Sequence, residues 1–418
     1  MQKIYFIFFF ILLSCGKDEK NLVDIESFIN QGERVNLIET DDIFKKSVSL
    51  KKKIIVNNYK KYKSWNQSNY NSQNYIYPSK VELGKSKKKL SNKNQKIIVY
   101  KNKFIGIDDV SNLTIYDEKF KRINSKKIYK RKVYKNYNLK FELIAHKEKI
   151  FVSDNLGNLH SFNFKNLKIH WKKKLGIPFR SNIKIYKNNL FLVNSNSKIF
   201  SISTKDGKLN WSFETASKNL KNNKSYQIAI YKDKLYFTND SAEIYCLDLL
   251  KNNVRWSLVF NSPSFKTTPL IFKSSPITID DFGNLYVSSN YGFTYAIDSQ
   301  TGNIKWTLPV FTTNRININS ENVFLISKNR FLILNRNDGK IVFNKKFILS
   351  KNKNILDLRD LIIGGKKFYL LTNSGVAFVI NQNNLSRFSV QNILDNYDNF
   401  IIFKNAIYLK NHASLIKY

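Results

Sequence analysis

The chain has 418 residues, of which 70 are Lys or Arg and 31 are Asp or Glu, giving a formal net charge of +39 and a pI near 9.9. So basic a chain ordinarily points to nucleic acid or an anionic surface, but its lysines are scattered with asparagine through every loop, which excludes a dedicated nucleic-acid-binding tract with aromatic interleaving. Two cysteines exclude a disulfide-stapled scaffold; a contribution of the charge to binding acidic lipid headgroups or an acidic partner stays open.

In chain order, Met1-Gln2-Lys3 is followed by ten apolar residues, Ile4–Leu13, and then by Ser14-Cys15-Gly16. The apolar run is too short to span a bilayer, which takes about 20 residues, and reads as a signal peptide over residues 1–14. Leu12-Leu13-Ser14-Cys15 resembles the lipobox of a bacterial lipoprotein. That resemblance implies cleavage before Cys15, acylation of Cys15, and, with Gly16 where an acidic retention residue could stand, sorting to the outer membrane. Residues 15–50 are expected to be a lipidated N-terminus and linker, with apolar spacing for short helices at Leu22–Asn30 and Asp41–Ser47.

Residues 51–418 read as an eight-bladed β-propeller, all-β, of four-stranded antiparallel blades. The clearest repeat is Ala296-x-Asp298-x-x-Thr301-Gly302-x-Ile304-x-Trp306, preceded by the strand Leu285–Ser289. Sliding back by 50, 95 and 135 residues lands on Trp256, Trp211 and Trp171 in the same phrase. Periods of about 40 to 50 residues with short strands belong to radial or stacked β architectures, since one unit cannot bury its faces alone. Gly302, Gly207 and Gly339 supply the positive φ that the hairpin connection requires. Units lie near Lys103–Tyr129, Lys149–Leu175, Asn189–Thr215, Lys234–Phe260, Asn284–Val310, Asn322–Ile348 and Lys367–Leu394, with innermost strands at Gln227–Tyr231, Pro276–Asp280 and Ile316–Asn319. The last unit, Ala406–Lys410 and Ser414–Tyr418, is incomplete, and Ile54–Trp65 is expected to join it as the strand that closes the ring.

The four repeat tryptophans read as packing between blades, each indole N–H finding a local acceptor. Phe343 and Phe388 are expected in the same place one and two repeats on. Cys246 stands where Ala296 and Ser201 stand, a small residue inside a strand; His160 stands where Tyr295 and Phe200 do, a strand position and not a metal ligand. His146, His170 and His412 show no metal spacing, so neither a metal nor a cofactor is expected.

Gly32-Glu33-Arg34-Val35, then Val48-Ser49-Leu50, then Trp65-Asn66-Gln67-x-x-x-Asn71, together with the repeat and the lipobox, resembles the BamB-type propeller lipoproteins of the outer-membrane β-barrel assembly machinery, whose repeat is quinoprotein-like. The resemblance implies a non-enzymatic scaffold at the periplasmic face of the outer membrane. Such a scaffold docks on periplasmic domains of the central barrel-insertion protein and acts on nascent outer-membrane proteins. It further implies contacts from the loops Ala216–Ser225 and Asn261–Ser275, here Leu220, Lys221, Asn222, Asn223 and Lys224, with Phe265 and Lys266. The chain departs from the family in having Leu220-Lys-Asn-Asn-Lys224 in place of a Leu-Arg-Gly-type segment, and in lacking matched acidic contacts in the following loop. Two other readings stand beside this one: a periplasmic propeller binding a small ligand or glycan in its channel, and a quinoprotein dehydrogenase. The latter would need an adjacent-Cys disulfide, a calcium cluster and an Asp base that this sequence does not offer.

Overall fold

The computed structural model describes residues 44, 54–57, 59–84, 88–91, 93–215, 226–260, 271–348 and 357–418. The expected signal peptide, Cys15, the expected helix Leu22–Asn30 and the Gly32–Val35 and Val48–Leu50 segments lie outside these, as do Leu220–Lys224, Phe265 and Lys266; of the expected helix Asp41–Ser47 only Phe44 is described, and it is helical. Ser47–Tyr418 forms one compact unit, distinct from Met1–Lys46.

The described strands form eight four-stranded antiparallel sheets, the blades of a propeller. Blade 1 runs outward through Asn94–Tyr100, Lys103–Asp108, Asn112–Tyr116 and Arg122–Lys127. Blades 2 to 7 repeat this plan, with inner strands Phe141–His146, Lys184–Tyr186, Ile228–Tyr231, Thr278–Ile279, Asn317–Ile318 and Leu358–Gly364. The second and third strands of each blade are almost wholly buried, as in Lys149–Asp154, while the outermost are mostly exposed, as in Arg122–Lys127. Apolar clusters lie between blades, for example Ile105, Leu113, Leu143 and Val152 between blades 1 and 2. A six-residue helix, Arg131–Asn136, joins blades 1 and 2; the repeat does not foretell it.

Blade 8 takes Asn399–Phe403, Ala406–Lys410 and Ser414–Lys417 from the C-terminal end of the sequence, and its outermost strand is Lys88–Ser91, with Lys88 opposite Lys417 and Ser91 opposite Ser414. The ring is therefore closed by an N-terminal strand on a C-terminal one, but not by Ile54–Trp65. The correction has a simple cause. An outermost strand is the wettest in a blade, whereas Ile54, Val56, Tyr62 and Trp65 are at most 5% exposed, and placing them on the rim would forfeit their burial.

Each blade runs in, out, in, out, so the chain crosses from one outermost strand to the next inner strand always on the same side of the disc. That side, the connection face, also carries the turns between second and third strands. The opposite side, the hairpin face, carries the turns joining first to second and third to fourth strands.

The repeated phrase has a local cause on the hairpin face. Asp298 Oδ1 accepts from the backbone N–H of Gln300 at 2.9 Å and of Thr301 at 3.1 Å, and Gly302 N–H donates to Asp298 O at 2.9 Å. An Asx-type turn of this kind needs a short polar acceptor first and a residue at positive φ last. Gly207, Gly302 and Gly339 hold φ of +73°, +81° and +70°.

Trp171, Trp211 and Trp256 pack in the apolar clusters and Trp306 is buried, and three of the four indoles find the expected acceptor. Trp171, Trp256 and Trp306 donate from Nε1 to Thr204 O, Ser299 O and Arg336 O of the following blade at 3.3, 3.1 and 2.9 Å. Phe343 holds the same register, opposite Ile333 as Trp306 is opposite Ala296. Phe388 does not. Blade 7 makes a tight turn at Asn381–Asn384 followed by a bulge, which puts Ser389 opposite Val379 and Phe388 one residue off. One step in a strand reverses the face. Phe388 is accordingly 44% exposed and packs against Phe347 and Phe378, at centroid distances of 5.4 Å each.

Candidate functional site

The two loops expected to carry partner contacts connect blade 3 to blade 4 and blade 4 to blade 5. Residues 216–225 and 261–270, with all seven candidate contact residues, fall outside the described residues; the stems on either side of them are described and lie on the connection face, on neighbouring blades. The first loop leaves from Thr215, whose Oγ1 donates to Ser197 O at 3.2 Å, and returns at the buried Tyr226, whose hydroxyl donates to Asp240 Oδ2 at 2.5 Å. The second leaves from Phe260, 1% exposed and stacked on Phe272 at 5.5 Å, and returns through Ile271, held by Asn290 Nδ2 donating to its carbonyl at 2.9 Å. Two pairs of fixed stems, 45 residues apart in the chain, thus stand on one face on neighbouring blades.

The second feature is the axis of the ring. Residues 62–83 dip into it from the hairpin face and touch the inner region of every blade. Lys404 N–H of blade 8 donates to Tyr62 O at 2.7 Å, and Trp65 exchanges backbone bonds of 2.8 Å with Val99 of blade 1. Asn66 Nδ2 donates to Ala145 O of blade 2 at 3.0 Å. Lys184 of blade 3 donates from Nζ to Asn74 Oδ1, Asn71 O and Gln67 Oε1 at 2.7, 2.8 and 3.4 Å. Asn74 Nδ2 donates to Ile228 O of blade 4 at 3.0 Å and to Ile277 O of blade 5 at 2.8 Å. Tyr75 Oη donates to Ile318 O of blade 6 at 3.3 Å, and Ser79 N–H to Ile363 O of blade 7 at 3.0 Å. Beside Ser79 the strand carries Gly364, where a β-carbon would fall 2.3 Å from Val81 O; only glycine lets the loop pass.

This channel loop absorbs the motif Trp65-Asn66-Gln67-x-x-x-Asn71 and explains its residue types. Inner strands at an axis present backbone groups that have no further strand to bond, and amide side chains, each both donor and acceptor, satisfy them at irregular spacing. Reading Ile54–Trp65 as a strand missed this. A signal was present: residues 64–79 contain no charged residue in a chain that is 24% charged, as befits a segment taken out of water.

Two cations lie against the loop. Lys184 is 0% exposed, and burial first, then the like charge of Arg315, lowers its pKa to about 7. Arg315 donates to Asn69 Oδ1, and its guanidinium lies 5.8 Å from the Phe400 ring centroid. The amide oxygens around Lys184 solvate the ammonium in place of water. Burial also raises the Tyr62 and Tyr77 hydroxyls well above their usual range; Tyr77 Oη donates to Asp281 Oδ1 at 2.6 Å, which adds to the rise.

Cys246 is a buried free thiol opposite Trp256, raised to about 12 by burial. His160 lies within its strand, 7% exposed, with Tyr129 Oη 3.3 Å from Nε2, and burial lowers its pKa. Among the described residues no three His, Cys, Asp or Glu side chains group as metal ligands, and no helix is long and apolar enough to cross a membrane.

Residues 140–345 match the family model described as outer membrane protein assembly factor BamB. No curated protein matches the chain in sequence. Among solved structures, BamB from Moraxella catarrhalis is similar with a TM-score of 0.64 at 13% identity, over 80% of this chain and 100% of that one. Quinohemoprotein alcohol dehydrogenase from Comamonas testosteroni follows at 0.63 and 9% identity, over 85% and 80%. A europium-containing methanol dehydrogenase gives 0.62 and 10%, over 84% and 90%. At such identities the structural likeness is one of fold, shared by a barrel-assembly factor and by enzymes. Taken with the eight-bladed ring, it makes the chain a propeller of the PQQ-like-repeat fold whose residues 140–345 are similar to the BamB family.

Proposed function

We propose that this protein is a non-enzymatic scaffold lipoprotein of the outer-membrane β-barrel assembly machinery, tethered through acylated Cys15 at the periplasmic face of the outer membrane. The loops 216–225 and 261–275, with Leu220–Lys224, Phe265 and Lys266, dock on periplasmic domains of the barrel-insertion protein. The rigid disc then holds those domains in an arrangement that lets nascent outer-membrane strands fold.

The observation that carries this reading is the filled axis. A ring of blades offers a ligand its central channel, and here the chain's own residues 62–83 occupy it, bonded to all eight blades. What remains for binding is the surface, where the pinned stems of the two loops stand on neighbouring blades. The family match over residues 140–345 supplies the kind of partner.

Affinity capture of the tagged lipoprotein from solubilised membranes tests it. Co-purification of the barrel-insertion protein is expected, and weakened capture with unchanged folding is expected for Lys224→Ala, since surface substitutions shift stability by no more than about 0.5 kcal/mol. Recovery of no barrel-assembly component, under conditions that preserve other membrane complexes, refutes it. For the dehydrogenase and channel-ligand readings, pyrroloquinoline quinone with calcium, or glycans, would raise the melting temperature by mass action; an unchanged Tm is expected.

A further inference from the structure

Lysine is distributed unevenly between the short turns within the blades. Of the eight turns joining a first to a second strand, six carry a lysine at positive φ: Lys101, Lys147, Lys187, Lys232, Lys366 and Lys404. All six are exposed. Of the eight turns joining second to third strands on the connection face, one carries a lysine, Lys328; the others are built mostly from Asn, Ser, Asp and Gly. Positive φ disfavours Lys relative to Asn or Gly, and this chain uses Asn freely, so composition alone would have put Asn at these turns. Lysine there places a ring of charge around the axis on the hairpin face.

Two further features fall on that face. At the seam of blades 8 and 1 a cavity of about 610 Å³ is lined by Lys61, Lys63, Lys404 and Lys417 with Glu118 as the one acid. Glu118 is engaged by Lys404 at 2.6 Å, and Lys417 lies 5.9 Å from the Tyr408 ring centroid. Also on this face, the chain approaches the ring: Asn319 Nδ2, in the first turn of blade 6, donates to Ile55 O at 3.2 Å, and Tyr62 bridges Lys404 before the loop dips into the axis. Ile55 and Tyr62 are therefore both held on the lysine-bearing side.

We propose that the hairpin face docks on the phosphate headgroups of an anionic lipid surface, with the cavity at the blade 8–1 seam taking one headgroup. Some of the lysines have local partners, Lys101 with Glu148 and Lys147 with Asn188. Exchanging these exposed contacts for phosphate costs little, since surface ion pairs are weak. With the hairpin face toward lipid, the connection face and the stems at Thr215, Tyr226, Phe260 and Ile271 are turned away from the membrane, free for a protein partner. The inference borrows from the proposed function only the presence of a membrane.

The test uses residues 15–418 with Cys15→Ser, so that no acyl chain contributes, and co-sedimentation with phosphatidylcholine vesicles with or without phosphatidylglycerol. Binding is expected only with phosphatidylglycerol and is expected to fall at high salt. Changing the six turn lysines to Asn, which suits positive φ better and so spares the fold, is expected to weaken binding more than about tenfold. Changing six exposed lysines elsewhere, Lys126, Lys140, Lys172, Lys174, Lys328 and Lys346, to Asn is expected to change it far less. Equal loss in both variants, or binding indifferent to phosphatidylglycerol, overturns the proposal. Displacement by inorganic phosphate at an ionic strength where chloride has no effect would assign the cavity to a soluble phosphate and also overturn it. No barrel-assembly protein is present, so this result and that of the capture experiment fail independently.

Discussion

The indole of Trp306 in blade 5 lies against the α-carbon of Gly339 in blade 6, so close that a β-carbon on Gly339 would sit 2.7 Å from the ring. Trp171 meets Gly207 and Trp256 meets Gly302 in the same way. The Gly of the repeated phrase thus serves the turn, by its positive φ, and the preceding blade's tryptophan, by its missing side chain. Arg336, beside that turn, ties the same two blades through an ion pair with the buried Asp280 at 3.0 Å.

Trp306→Ala is expected to cost about 3–5 kcal/mol in urea unfolding, as truncation of a buried aromatic does. Gly339→Ala is expected to cost about 1–3 kcal/mol, combining overpacking with a strained φ. Phe388→Ala, at the exposed register of blade 7, is expected to cost near 1 kcal/mol. A Phe388 loss equal to that of Trp306 would contradict the one-residue offset.

Asn74→Ala is expected to destabilise the ring by about 1–3 kcal/mol, because it strips partners from Ile228 O, Ile277 O and the Lys184 ammonium at once. The thermal unfolding midpoint reports this. No change would mean that the channel loop is not a working part of the closure.

Lys184 makes stability depend on pH in a definite direction. Its folded pKa of about 7 lies below the ordinary 10.5, so between these values the unfolded chain binds the extra proton and stability rises with pH, by at most about 1.4 kcal/mol per unit. Above about pH 10 the buried tyrosines oppose it, since their raised folded pKa values make the folded state the better proton binder there. Unfolding free energies of the protein and of Lys184→Met, compared from pH 7 to 10, should converge or cross as pH rises; parallel curves would refute the assignment.

Cys246 is expected to resist a thiol reagent at pH 8 in the folded protein and to react on unfolding, because only the thiolate attacks and burial holds the thiol near 12. Peptide mass mapping reads the site directly. Rapid modification without loss of structure would show blade 4 to be far looser than its packing implies.

Much of this was legible in the residues. The spacing of Asp298, Gly302 and Trp306 and its echoes locate the blades, because the phrase is a local device whose acceptor, positive-φ residue and ring act within one hairpin and its neighbour. The inner strands before Leu235, Leu285 and Val323 were equally readable. The candidate contact residues of loops 216–225 and 261–275 rest on resemblance, and what the fold adds is that their stems share one face.

Sequence by itself determined the repeat, the number of blades and the docking place of the tryptophans, since each is set by contacts near in the chain or identical from unit to unit. Only the tertiary structure decided which segment closes blade 8 and which fills the axis. Lys88–Ser91 and Ser414–Lys417 meet from opposite ends of the chain, and Asn74 bonds carbonyls of two blades more than 150 residues away. A segment that fits an irregular ring of backbone groups needs amides at the right points in space and has no period to betray it.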